Sequence, residues 1–230
     1  MNIGGLHQRF KNRLGVTNGY GDLLPHEIDS KLNEAASWIV AKYGNMDAEQ
    51  SFVKNLLSPF FKSLDVTFKV VEEEKLYELE IPSDSEQIER LTYKCKGNDA
   101  TVDITTHDNL STLLGDALLK PSKVFNRSIA VIEDGKLILH TAQKLTTGKL
   151  VYLRKPKPVF YGGYDTAEYL FCTENGQGDC NKFYNQNSDP VNSEFLDNHQ
   201  ELLVDIAVFL ESGKIINSAI NRLVSQKIAQ

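Results

Sequence analysis

The chain has 230 residues, 41% hydrophobic and 24% charged, with a formal net charge of -6. At that length a folded chain buries roughly 70% of the surface its unfolded form exposes, so a core forms without disulfides or a structural metal. The acidic balance argues against nonspecific nucleic-acid binding, which needs several cations aimed at phosphates. Three cysteines, Cys95, Cys172 and Cys180, are too few for a disulfide framework and read as free thiols of a protein made in cytoplasm. The longest apolar stretch, Leu202 to Leu210, is broken by Asp205 and falls short of the roughly 20 residues that span a bilayer. The start, Met1 to Arg9, lacks the basic and apolar regions of a secretory signal.

In chain order the pattern predicts helices, then strands, then a helix. A polar lead with Gly15, Gly19 and Gly21 precedes Pro25, which suits a first helical turn, and Glu27 and Asp29 favour the same helix start. Ile28, Leu32, Ala35 and Ile39 form one apolar stripe to about Tyr43, closed by Gly44-Asn45. A second helix is expected from Asp47 to Phe61, with Pro59 late in it, so the two make a helical hairpin within a segment 1–65.

An antiparallel β module is expected over 66–158. Val66, Phe68 and Val70 alternate with polar residues, and the acidic Glu72-Glu73-Glu74 reads as the turn toward Leu76 and Leu79. Thr101 to Thr105 is a further strand, and Asn109 to Leu118 reads as a short helix or an irregular connection. Ile129 to Ile132 and Leu137 to His140 flank Asp134-Gly135, the dipeptide of a tight hairpin. Leu150 to Leu153 is the last strand, stopped by Pro156 and Pro158. Residues 159–192 form a long polar, glycine-rich loop or arm. The segment 193–230 is a C-terminal helix packing with the N-terminal ones, opened by an Asp197 to Gln200 capping box and continued through Ile216, Ile220 and Leu223 with a break at Gly213.

Chemical motifs are sparse. His7, His26, His107, His140 and His199 have no second histidine at ligand spacing, and a grouping of Cys172, Cys180 and His199 lacks a fourth ligand. His107-Asp108 with a distant cysteine could make a base and nucleophile on paper, as in most chains. Asn175 to Asp179 has the glycines of a phosphate loop without its lysine, and reads as a turn. No catalytic residue, cofactor or metal site is therefore assigned. An enzyme with an unrecognised site in the glycine-rich loop stays as a competing reading.

The most unusual stretch is Arg154-Lys155-Pro156-Lys157, three cations on proline-stiffened backbone. As an interface its complement would be the acidic Glu72, Glu73 and Glu74 run, extending to Glu80, on another copy, with Tyr161 and Tyr164 from the arm beside it. A nucleic-acid reading would instead use those cations with Tyr152, Phe160, Tyr161 and Tyr164 as stacking platforms.

Three strings carry a resemblance. Pro25 to Gly44, with its Glu27-Ile28-Asp29, Leu32-Asn33 and Ala35 start and its Ile39 to Tyr43-Gly44 end, resembles the opening helix of small virion structural proteins of tailed phages of Bacteroidota, including the crAss-like phages. Leu150 to Pro158 is similar to a late strand of those proteins, and Phe195 to Ala207 to their acidic lead and final helix, although Glu194 to Asp197 departs from the usual histidine and glutamate combination. The resemblance spans about half the chain and omits 66–149. It implies a non-enzymatic, ring-forming head-tail connector, or neck, subunit. The ring would hold roughly twelve copies, joined to portal, tail or other neck proteins, in a virion assembled in the host cytoplasm. DNA would pass nearby without specific binding, and the acidic balance suits a channel that repels phosphates. Other virion positions, in the tail or decorating the head, are the alternative.

Overall fold

The computed structural model describes residues 2–14, 23–44, 51–73, 75–95, 98–162 and 189–212. The fold is α+β, with N-terminal helices, a central sheet and a C-terminal helix. It divides into two units, one built from residues 1–59 and 156–230 and the other from residues 60–155.

The first unit is helical. α1 (Ile3–Leu14) is absent from the sequence reading; Ile3, Leu6, His7 and Phe10 make a buried stripe at helical spacing despite Gly4-Gly5 in its first turn. α2 (Pro25–Gly44) matches the expected helix, and Glu27 reaches back to accept the Leu24 N–H at 2.8 Å, satisfying one of its orphan donors. α3 (Ser51–Leu57) ends before the expected Phe61 and tightens into a 3-10 turn, Ser58–Phe60, at Pro59, while the expected start at Asp47 lies outside the described residues. α5 (Gln200–Ser212) packs its Leu202, Leu203 and Ile206 against α1 and α2. Arg9 and Arg13 of α1 pair with Glu201 of α5, and Arg13 also pairs with Asp205.

The expected capping box is replaced by a 3-10 turn, Asp197–His199, capped from Leu196 without a side-chain bond. Gln200 turns inward and donates to the Phe195 carbonyl at 2.9 Å. The continuation through Ile216, Ile220 and Leu223 lies outside the described residues.

The second unit is one sheet of eight strands: β1 (Phe61–Thr67), β2 (Lys69–Glu72), β3 (Leu76–Glu80), β4 (Ser85–Cys95), β5 (Asn98–Thr105), β6 (Ser128–Glu133), β7 (Lys136–Thr141) and β8 (Thr147–Arg154). Their order is β1-β8-β4-β5-β6-β7-β3-β2. The end strands β1 and β2 are consecutive in the chain, with only the buried Phe68 between them, so the sheet curls into a half-barrel around its own core. That core holds Val66, Phe68, Tyr77, Leu91, Tyr93, Leu139, Leu150 and Tyr152.

The antiparallel module expected from the sequence is corrected here, because the sheet is mixed. β5 and β6 run parallel, with Val102 opposite Ser128 and Thr105 opposite Val131. Parallel neighbours need a crossover of a dozen or more residues. It is supplied by α4 (His107–Gly115) and the segment 116–127. The ambiguous stretch is thus a helix with a structural task. β1 also begins five residues before Val66, and the long β4, whose alternation is broken by bulges against β8, was not anticipated. The Asp134-Gly135 hairpin forms as expected, with φ of 48° and 74° at the two turn residues.

Candidate functional site

The segment that leaves the β unit returns to the helical unit, and there its two ends are fastened together. Val191 and Phe160 exchange backbone hydrogen bonds of 2.8 and 3.0 Å, an isolated antiparallel bridge between the two described stretches that flank residues 163–188. Two polar positions of α2, Asp29 and Asn33, hold the first of these stretches. They stand four residues apart and therefore share a helix face.

Asn33 acts as a one-residue strand partner for Val159: its Oδ1 accepts the Val159 N–H at 2.6 Å and its Nδ2 donates to the Val159 carbonyl at 3.1 Å. Asp29 is buried and accepts the Tyr161 N–H on Oδ2 at 2.8 Å, while its Oδ1 lies 2.7 Å from Nε2 of buried His7 on α1. The His7 ring stacks on Tyr161 at 4.6 Å. Asn192 accepts the Ile3 N–H at 2.9 Å, and Glu194 accepts the Lys157 N–H at 2.9 Å. The bonds to Val159, Tyr161 and Ile3 satisfy partly buried backbone groups that would be costly to leave unpaired, so these stretches are positioned by α1 and α2 together.

The residues singled out from sequence fall as follows. Arg154 ends β8, where its guanidinium lies 5.5 Å from the centre of the Phe60 ring and donates to the Lys155 carbonyl at 3.2 Å. The Lys155 N–H donates to the Asp84 carbonyl at 2.7 Å, and the Lys157 ammonium is 3.9 Å from Glu194. Arg154 and Lys155 belong to the β unit and Lys157 to the helical one. Glu72 pairs with Lys75, and Glu73 lies 2.8 Å from Lys144, whose proximity holds its carboxyl below the usual range. Glu78 has Lys136 at 3.3 Å and Lys69 at 3.6 Å, and its carboxyl is likewise lowered, chiefly by Lys136. Glu72, Glu73 and Glu78 are therefore met by lysines of their own chain. Glu74 and Tyr164 lie outside the described residues, as do Cys172, Cys180 and the Asn175 to Asp179 stretch.

Tyr152 points into the β core with its hydroxyl donating to Asp84 at 3.0 Å, so it offers no stacking face to a base. Lys62 binds the same carboxylate at 3.0 Å and holds its pKa down, while burial raises that of the tyrosine. His107 meets the Ile132 carbonyl at 3.2 Å, and His199 is buried with Phe52 edge-on at 5.5 Å. Cys95 is a buried free thiol.

Among the described residues no group of three or more His, Cys, Asp or Glu side chains is placed to hold a metal ion, and no helix is long and apolar enough to cross a membrane. Among its described residues the β unit carries shallow surface depressions. One, of about 650 Å³, is bordered by Asp99, Asp103, Leu118, Phe125 and Arg127. Another, of about 520 Å³, is bordered by Asp65, Tyr93, Lys94 and Lys149.

Sequence reasoning passed over Asp29 and Asn33 as contacts. The signal was present, since both interrupt or flank the apolar stripe of α2 and both belong to the string Glu27-Ile28-Asp29 to Leu32-Asn33. No protein-family model and no curated protein matches the chain.

Proposed function

We propose that this chain is a structural subunit of a tailed-phage virion, a ring-forming head-tail connector of the neck that joins portal and tail. About twelve copies would close the ring, with portal, tail or other neck proteins as neighbours and DNA passing through without specific contacts. The subunit works in the virion after assembly in the host cytoplasm. The observation that supports this reading best is the mount of the long segment, where Asp29, Asn33, His7 and Asn192 fasten both of its ends to α1 and α2. A segment that finds its partner on a neighbouring subunit binds more tightly when its root is fixed, because less freedom is lost on docking. The half-barrel adds a second, independently packed body for lateral contact.

Electron microscopy of the purified full-length protein tests the reading. Annular particles of uniform diameter with an open centre are expected. Monomers or dimers at every concentration would count against it.

A further inference from the structure

The sheet ends in two strands, β1 and β2, and their free edges are built differently. β2 has four residues, and a bulge falls between Val70 and Glu72, a device that bends an edge away from further pairing. β1 has seven residues in unbroken register with β8, with no bulge and no proline. Such an edge is a template for another strand.

The ladder fixes which backbone groups of β1 face outward. The Phe68 N–H donates to the Thr146 carbonyl at 3.1 Å, one step beyond the pair formed by Thr67 and Thr147. Hydrogen-bonded and non-hydrogen-bonded pairs alternate along an antiparallel ladder. Lys62, Leu64 and Val66 are therefore bonded to β8, whereas Ser63, Asp65 and Thr67 turn their N–H and C=O groups to the open side. All three are exposed, and among the described residues no hydrogen bond reaches those groups.

The side chains of β1 alternate between the two faces of the sheet. On the face of the buried Val66, Leu64 is 46% exposed although it stands opposite the buried Leu150. A strand laid along the edge would cover it. On the other face Asp65 stands opposite Lys149 in the ladder, yet among the described residues no cation comes within ion-pair distance of its carboxylate.

We infer that the open edge of β1 takes an extended segment of a partner protein as an added strand, with an apolar side chain over Leu64 and, at the next residue, a lysine or arginine beside Asp65. The backbone groups of Ser63, Asp65 and Thr67 supply the attraction, and the two side-chain positions choose the partner. A second copy of β1 fits less well. Antiparallel pairing centred on Leu64 sets the Asp65 side chains of the two copies diagonally across the new ladder, like charges about 7–8 Å apart. The contact goes beyond ring formation and does not depend on it.

Amide NMR of the full-length protein tests the contact, with two synthetic peptides of seven residues, the length of β1, as probes. Both alternate valine with threonine, and the central threonine is replaced by lysine in one and by glutamate in the other. Without peptide, the amides of Ser63, Asp65 and Thr67 should exchange freely while those of Lys62, Leu64 and Val66 are protected. The lysine peptide should shift and protect the first three, and bind at least about threefold more tightly than the glutamate peptide, the effect of one cross-strand charge. Ser63→Pro removes a donor that the ladder does not use, so the variant should keep its fold and bind the lysine peptide at least about tenfold more weakly. Should it misfold by circular dichroism, Leu64→Lys takes its place. No amide shift with either peptide at about 1 mM, or equal binding by the edge variant, would overturn the proposal. Equal affinity for the two peptides would overturn the part given to Asp65. Protection of Ser63 and Asp65 that grows with protein concentration in the absence of peptide would assign the edge to a second copy and overturn the partner.

Discussion

His140 lies on β7, opposite Ile129 of β6 and Leu76 of β3, and burial there lowers its pKa below the ordinary 6.5. A buried imidazole resists protonation because the charged form loses its water. In the unfolded chain the same group takes a proton more readily, so acid favours unfolding at this site. The stability linked to His140 is therefore complete above about pH 6.5 and is lost as the pH falls through its lowered folded value. Urea titrations at several pH values should show the midpoint dropping over that window. In His140→Gln the drop should be smaller, and an NMR titration of the native imidazole should give a value under 6.5. A native value at or above that figure would contradict the argument.

At the scale of elements, the corner of the half-barrel depends on a close approach. Gly148 of β8 stands opposite Val66 of β1 and Tyr93 of β4, and a Cβ there would come within 2.5 Å of the Thr92 carbonyl and 2.7 Å of the Phe68 ring. Phe68 cannot withdraw, because it fills the core at the turn between β1 and β2 and its N–H donates to the Thr146 carbonyl at 3.1 Å. Gly148→Ala should accordingly lower unfolding stability by about 1–3 kcal/mol, as overpacking does, with an unchanged urea slope. Such spatial requirements are what the sequence conceals. Asp134-Gly135 was legible because its conformation is decided by two adjacent residues. The parallel pairing of β5 and β6 was not, since it depends on how α4 returns the chain over 22 residues, and no local period encodes that path. α1 was missed for the opposite reason: its stripe is regular, and Gly4-Gly5 masked it. Of the candidate site, the helix that carries Asp29 and Asn33 is readable, whereas the partners of Asn33 and Asp29 stand 126 and 132 residues away along the chain.

At the scale of the molecule, the β unit is inserted into the helical one. Residues 60–155 are continuous, whereas the helical unit is assembled from 1–59 and 156–230. Entry and exit of the inserted unit lie side by side, because Phe61 pairs with Leu153 across β1 and β8. Its core cluster, from Val66 to Tyr152, is drawn wholly from its own strands and connections. A unit with adjacent ends, its own core and a length well beyond the ~40 residues below which disulfides or metals are usually needed should fold when cut out. Residues 60–155 expressed alone should give dispersed amide resonances and one cooperative thermal transition. The converse test joins residue 59 to residue 156 through a short Gly/Ser linker, which should retain the helical circular dichroism of α1, α2 and α5. A collapsed, undispersed spectrum for 60–155 would mean that the half-barrel depends on the helices for its folding.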